Sequence, residues 1–160
     1  IAPRSPRDAF GRSLGLTLAR LTGTIAEVRA SEARLRAAEE ATRAREARFR
    51  ALVQESSDVI AVIDPGLAVQ YASPSVERVL GRAADTLVGR GVLALVHDDD
   101  RAALDAALAR VLAARGATVR VQLRLVHASG EWRHVDCAAT NLLHEPAVAG
   151  IVVNARDVSE

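Results

Sequence analysis

The chain has one cysteine, no lysine and no methionine, and aromatic residues make up only 2% of its 160 positions. A single thiol, Cys137, excludes an intrachain disulfide and any metal cluster built on several cysteines, and it fits a reducing compartment. No apolar run approaches the roughly 18 to 20 residues of a membrane span, and Ile1 to Arg7 lacks the apolar centre of a secretory signal. A cytoplasmic chain without direct membrane contact is therefore expected. Charge of one sign is also lacking: 21 basic residues balance 20 acidic ones, for a net +1. A surface devoted to nucleic-acid phosphates would need a marked basic excess, so nucleic acid is not an expected partner. The absence of lysine beside abundant alanine reads as GC-rich coding and says nothing direct about function. The chain starts on Ile1 and stops at Ser159-Glu160 without terminal punctuation, so a piece of a longer protein is expected, with its output elsewhere.

What is present changes character near residue 52. From Ser13 to Ala51 there is no proline and the last glycine is Gly23, while Ala, Leu, Arg and Glu dominate, which predicts one long helix. Leu14, Leu18, Leu21, Ile25, Val28 and Leu35 follow alternating steps of four and three, interrupted by Glu32, as the a and d positions of a heptad repeat do. Beyond Leu35 the stripe turns polar, and a neighbouring one through Ala38, Thr42, Phe49 and Leu52 serves better, so the register shifts there. Pairs such as Glu32 with Arg36 and Glu39 with Arg43 would support a solvated helix. A helix of this length is too long to pack wholly on a domain of this size, so pairing with a second copy, as a homodimer, is the expected fate.

From residue 52 the pattern is that of a mixed domain. Asp58 to Asp64 is a β-branched run closed by Pro65-Gly66, and Ala68 to Ala72 reads as the returning strand. Ser73-Pro74-Ser75 should open a helical turn with a serine as its cap, ending at Gly81. A short helix follows around Ala83 to Val88, and a longer one from about Asp99 to Arg115 carries Leu104, Leu108 and Val111 on one face. Val119, Val121, Leu123 and Leu125 alternate with polar residues, which predicts a strand with one wet face. Ser129-Gly130 turns the chain into a strand over Glu131 to Leu143, and Ala147 to Ala155 makes the last. Strands with one apolar face need a cover, and the helix after Asp98 is the only strongly amphipathic candidate, so one core lies between sheet and helices. Its expected lining is Ile60, Val62, Leu95, Leu104, Leu108, Leu123, Leu125, Val135, Cys137, Ile151 and Val153, with Tyr71 nearby; the small Ala61, Ala138, Ala139 and Gly150 would leave space among them.

Groups able to do chemistry are sparse. His97 with Asp98, Asp99 and Asp100 has competent metal ligands, but aspartates before a helix are better read as caps that favour its positive end. His127, His134 and His144 have no partner at zinc-ligand spacing. No phosphate-cradling glycine loop or nucleophile elbow is present, and no catalytic residue is assigned.

Several segments together resemble the PAS domain, a sensor module of bacterial signalling proteins. Phe49-Arg-Ala-Leu52 with Ser57-Asp58, Tyr71-Ala-Ser-Pro-Ser75 with Leu80-Gly81, and Leu95-Val-His-Asp-Asp-Asp100 stand in order and spacing like the family's own, with Asp98 where the family's "lvHPdD" has proline. Arg124 with the Ser129-Gly130 turn follows, and Arg156-Asp-Val-Ser-Glu160 is similar to the exit motif "rDIT-e". The resemblance covers about 110 residues. It implies an α+β fold: an antiparallel five-stranded sheet in order 2-1-5-4-3 with helices on one face, here after a long N-terminal helix. The division is then 1–12, an N-terminal segment whose Arg7 to Gly11 is similar to part of a HAMP module, 13–51, a coiled-coil signalling helix, and 52–160, the sensor domain.

The resemblance also implies function. Such modules pass the state of a ligand or partner to an effector in the same chain, a histidine kinase or a cyclic-di-GMP cyclase or phosphodiesterase, and some sit in membrane-anchored sensors. The alternative is a ligand-free PAS module for homodimerisation or protein docking. Asp157, Val158 and Ser159 would form the signal exit, with Asp157 pairing with Arg133 or Arg124. Photoreactive flavin is disfavoured because Gly89-Arg-Gly91 stands where such relatives carry Asn-Cys-Arg, and haem because no histidine lies in 99–115. With Tyr71 and Trp132 the only aromatics after residue 52, a small or aliphatic ligand is expected, and Cys137 reads as a small buried hydrophobe.

Overall fold

A computed structural model describes residues 6–159. The chain divides between Phe49 and Arg50 into two units. Residues 1–5 of the N-terminal segment and Glu160 of the exit motif lie outside the described residues.

The first unit is helical. Helix α1 runs from Pro6 to Glu55, 50 residues, or about 75 Å at 1.5 Å per residue. It starts earlier than Ser13 because Pro6 suits a first helical position, where its missing N–H costs nothing, and Gly11 and Gly15 do not interrupt it. Thr17, Thr22, Thr24 and Thr42 return their hydroxyls to the carbonyls four residues back, so these residues stay compatible with a helix interior. Leu14, Leu18, Leu21, Ile25, Val28 and Leu35 are all on α1, and each is about half exposed or more.

The second unit is a sheet with helices. Its strands are β1 (Val59–Ile63), β2 (Val69–Ala72), β3 (Thr118–Val126), β4 (Trp132–Leu142) and β5 (Gly150–Asp157). They form one sheet in the order β2-β1-β5-β4-β3, with every pair antiparallel. Between β2 and β3 lie α2 (Ser75–Leu80), α3 (Ala84–Leu87), two 3-10 turns at Val92–Ala94 and Asp98–Asp100, and α4 (Arg101–Leu112). α4 is shorter at both ends than the sequence pattern suggests: its first turn is wound as 3-10, and it stops at Leu112. β5 starts at Gly150 and not at Ala147, since Val148 and Ala149 are turned back by hydrogen bonds to the Glu145 carbonyl.

The segment between the helices also covers both sheet edges. Val69 N–H donates to the Arg90 carbonyl at 2.9 Å and Gly89 N–H to the Val69 carbonyl at 2.7 Å, beside β2. Along β3, Val126 N–H donates to Leu95 at 2.8 Å and His97 N–H to Arg124 at 2.9 Å. Unpaired strand edges invite pairing with other chains, and here the start of β2 and the end of β3 are occupied by the protein's own backbone. One core results, with Val76, Val111, Val135 and Ile151 almost wholly buried.

Candidate functional site

Between the sheet and α2, α3 and α4 lies a cavity of about 110 Å³. Its 23 lining residues are all Val, Leu, Ile, Ala or Cys. Period-two alternation brings Val121, Leu123 and Leu125 of β3, Cys137 and Ala139 of β4, and Ile151, Val153 and Ala155 of β5 onto its floor. Leu104, Ala107, Leu108 and Val111 come from α4 at helical spacing.

Of the residues expected in the lining, Leu95, Leu104, Leu108, Leu123, Leu125, Cys137, Ile151 and Val153 are on this wall. Ile60 and Val62 are not. β1 presents Val59, Ala61 and Ile63 to the cavity, and Ile60 and Val62 take the other face of the sheet beside Asn154 and Val152. The run is apolar on both faces, so alternation could not choose the inner one, and a slip of one residue exchanges the faces. Tyr71 is 41% exposed and lies outside the wall, opposite Val62. Val135 is buried in the core without lining the cavity.

Leu67 was missed. It follows the Pro65-Gly66 turn with a positive φ of 65°, a conformation usually left to glycine. Its N–H donates to the Asp64 carbonyl at 2.9 Å, and the Asp64 carboxylate accepts from Ala68 N–H at 2.9 Å. This strained turn delivers the Leu67 side chain to the cavity wall, where it is buried. Burial is the compensation for a backbone that costs about 1–2 kcal/mol.

No charged residue is part of the wall. The Cys137 thiol is pushed up to about 12, first by burial and then by the neighbouring Asp136 charge. It is neutral at physiological pH and belongs to the apolar lining.

A polar frame holds the wall in place. Ser73 and Ser75 do not cap α2, whose first residue follows Pro74 without a side-chain cap. They reach β1 and the residue before it instead: Ser73 Oγ accepts from Ile60 N–H at 2.9 Å, and Ser75 Oγ donates to the Asp58 carbonyl at 2.9 Å. The two hydroxyls are 2.7 Å apart. Since Ser75 has given its only proton to Asp58, Ser73 must be the donor between them.

The acidic run also acts differently from its expected capping role. His97 caps the 3-10 turn, its Nδ1 accepting from Asp99 N–H at 3.1 Å. Asp100 makes no cap hydrogen bond. Its carboxylate accepts from Arg124 three times, from the backbone N–H at 2.8 Å, from Nε at 3.0 Å and from Nη2 at 2.8 Å. Those hydrogen bonds from the Arg124 side chain hold the Asp100 carboxyl down at about 2, below the usual carboxylate range. The start of α4 is thereby fastened to β3. Among the described residues no group of three or more His, Cys, Asp and Glu side chains is placed to hold a metal ion.

At the other end of α4, Asn141 of β4 is buried. Its Nδ2 donates to the carbonyls of Val111 at 3.1 Å and Ala114 at 3.2 Å, and its Oδ1 accepts from Leu143 N–H at 3.1 Å. It satisfies carbonyls that a helix end leaves without partners.

The exit strand is tied down without the ion pair expected of it. Arg124 is engaged by Asp100, and Arg133 lies 3.7 Å from Glu131. Asp157 accepts from Ser159 N–H at 2.8 Å. Ser159 Oγ accepts from His134 N–H at 2.7 Å, and Val158 N–H donates to the His134 carbonyl at 2.9 Å. A short side chain takes the nearest free N–H, a local turn that preempts a longer reach to arginine.

An antiparallel sheet closed on one face by short helices around an apolar cavity defines a small α+β class of domain. A sequence model of the PAS fold matches residues 53–160, and the chain belongs to that family. Solved structures agree in fold. The PAS domain of an HTR-like protein from Haloarcula marismortui is 16% identical, with a TM-score of 0.64 over 75% of this chain and 97% of that one. A domain of a sensory box sensor histidine kinase/response regulator from Geobacter sulfurreducens is 24% identical, with a TM-score of 0.58 over 71% and 94%. The PAS domain of nitrogen regulation protein NR(II) from Vibrio parahaemolyticus is 18% identical, with a TM-score of 0.54 over 68% and 96%. No curated protein matches the sequence.

Proposed function

We propose that residues 52–160 are the sensory module of a signal-transduction protein and that the cavity takes up a small apolar molecule. One observation carries this reading: about 110 Å³ of space lined by apolar residues alone. An apolar cavity of about 150 Å³ stays dry and accepts a molecule such as benzene, so the space suits a ligand of that order. Two of the structures that share the fold come from a sensor histidine kinase/response regulator and a nitrogen regulation protein, which supports a place in signalling. In this reading the chain acts in the cytoplasm and feeds a histidine kinase or a cyclic-di-GMP cyclase or phosphodiesterase in the longer protein. The sensory module itself performs no catalysis.

The mechanism is a bias between two packings. A ligand that binds one arrangement of sheet and helices better than another shifts the population toward it by its differential affinity. The change leaves through Asp157, Val158 and Ser159: Val158 and Ser159 are hydrogen-bonded to His134 of β4, and Asp157 holds Ser159 N–H. The heptad stripe on α1 pairs two copies of the chain, and a polar second half with a shifted stripe makes that pairing adjustable.

Native mass spectrometry of protein purified from cells tests the cavity. The expected result is a retained small molecule, or saturable uptake of benzene by the empty protein. A protein that retains nothing and takes up nothing would replace this reading with a ligand-free docking module.

A further inference from the structure

The apolar cavity has a cationic neighbour. A second hollow, of about 130 Å³, carries Arg82 and Arg90 in its wall. Val69, Leu87 and Leu95 line both spaces. These three side chains are the partition between the two hollows, and a chain that displaced them would pass from the apolar cavity into the space that Arg82 and Arg90 line.

Both arginines are set by backbone. Arg82 follows Gly81, which ends α2 with a positive φ of 66°. A Cβ on Gly81 would stand 2.7 Å from the His127 ring, so the turn that places Arg82 is closely held. The Arg90 carbonyl accepts from Val69 N–H at 2.9 Å, and its N–H donates to Leu87 at 3.0 Å. Their side chains, by contrast, are unspent. The Nε of Arg82 is buried without a hydrogen-bond partner. Among the described residues neither arginine has a carboxylate within ion-pair distance.

A buried guanidinium donor without an acceptor is unfavourable. A carboxylate matches the planar fork of arginine and makes stronger hydrogen bonds than a neutral acceptor. We propose that Arg82 and Arg90 receive the carboxylate of a short alkyl acid whose hydrocarbon chain occupies the apolar cavity. The inference rests on the reading of that cavity as a ligand site and adds the charge and class of the ligand.

Calorimetric titration of the 160-residue chain with octanoate and with 1-octanol separates the two. Octanoate should bind at least about tenfold more tightly than the alcohol, as a charge-assisted hydrogen bond predicts. Shortening the acid by one methylene should weaken binding about fourfold. The substitutions Arg82→Met and Arg90→Met should each weaken octanoate about tenfold and leave 1-octanol unchanged, so the alcohol also checks that the variants fold. In the unsubstituted protein the Arg82 Nε–H resonance should move with octanoate and not with octanol. Equal affinity for acid and alcohol, or a silent Arg82 resonance while octanoate binds, would overturn the anion site and leave the cavity reading intact. Failure of both probes to bind would overturn both.

Discussion

Two helices of similar composition meet opposite fates in this chain. α4, twelve residues rich in Ala, Leu and Arg, buries Leu104, Ala107 and Val111 against the sheet. α1, fifty residues of the same types, leaves its Leu14 to Leu35 stripe about half exposed or more. The difference lies in what faces each stripe. α4 has a sheet whose inner residues alternate in register with it, whereas the α1 stripe has the spacing that a second helix would fill. Apolar content alone therefore says little; the period and the partner decide whether it makes a core or an interface.

The comparison can be broken most severely at α4. Leu104→Ala should cost about 2–5 kcal/mol in denaturant unfolding, because it removes buried methyl groups and enlarges an existing cavity. Leu21→Ala should change unfolding of the sheet-bearing unit by no more than about 0.5 kcal/mol, because Leu21 belongs to the other unit and makes no part of its core. Equal losses at the two positions would abolish the distinction. The α1 stripe is tested by sedimentation instead: Leu21→Asp combined with Ile25→Asp should yield monomers, and an unchanged dimer would refute pairing through that face.

The fastenings of α4 come next in size. Asn141→Ala leaves the Val111 and Ala114 carbonyls without their donor and should cost about 1–3 kcal/mol in unfolding. Asp100 produces a dependence on acid. Its folded carboxyl titrates at about 2, below its unfolded value, so the stability it confers is present above the unfolded pKa and is lost as pH falls through the folded one. Unfolding followed from pH 5 to pH 2 should show that loss in the wild type and a flatter profile in Asp100→Asn. The smallest effect is expected at Cys137, whose neutral, buried thiol should react with an alkylating reagent far more slowly in the native protein than in the unfolded one.

How much of this was legible in the sequence depended on how unambiguous each pattern was. β3 alternates cleanly, so the inward Val121, Leu123 and Leu125 follow from period alone. β1 is apolar at every position, and the same argument put Ile60 and Val62 on the wrong face. Its assignment needed the neighbours, Val153 opposite Ala61 and Ile151 opposite Ile63. Serine and aspartate before helices signal caps, yet Ser73, Ser75 and Asp100 spend their hydrogen bonds on residues distant in the chain. No local pattern separates those two uses. Leu67 stands where a turn usually takes glycine, so it was visible only as an anomaly after Pro65-Gly66. Asn141 breaks the apolar alternation of β4 at an inward position, a signal that was present and unused.

Titrating the methyl-labelled chain with benzene and following its Leu, Val and Ile resonances tests the central claim most directly. Saturable shifts at Leu104, Val111 and Ile151, with none at Leu21 and Ile25, are the predicted outcome. Shifts confined to α1, or none at saturation, would contradict a ligand cavity beneath α4.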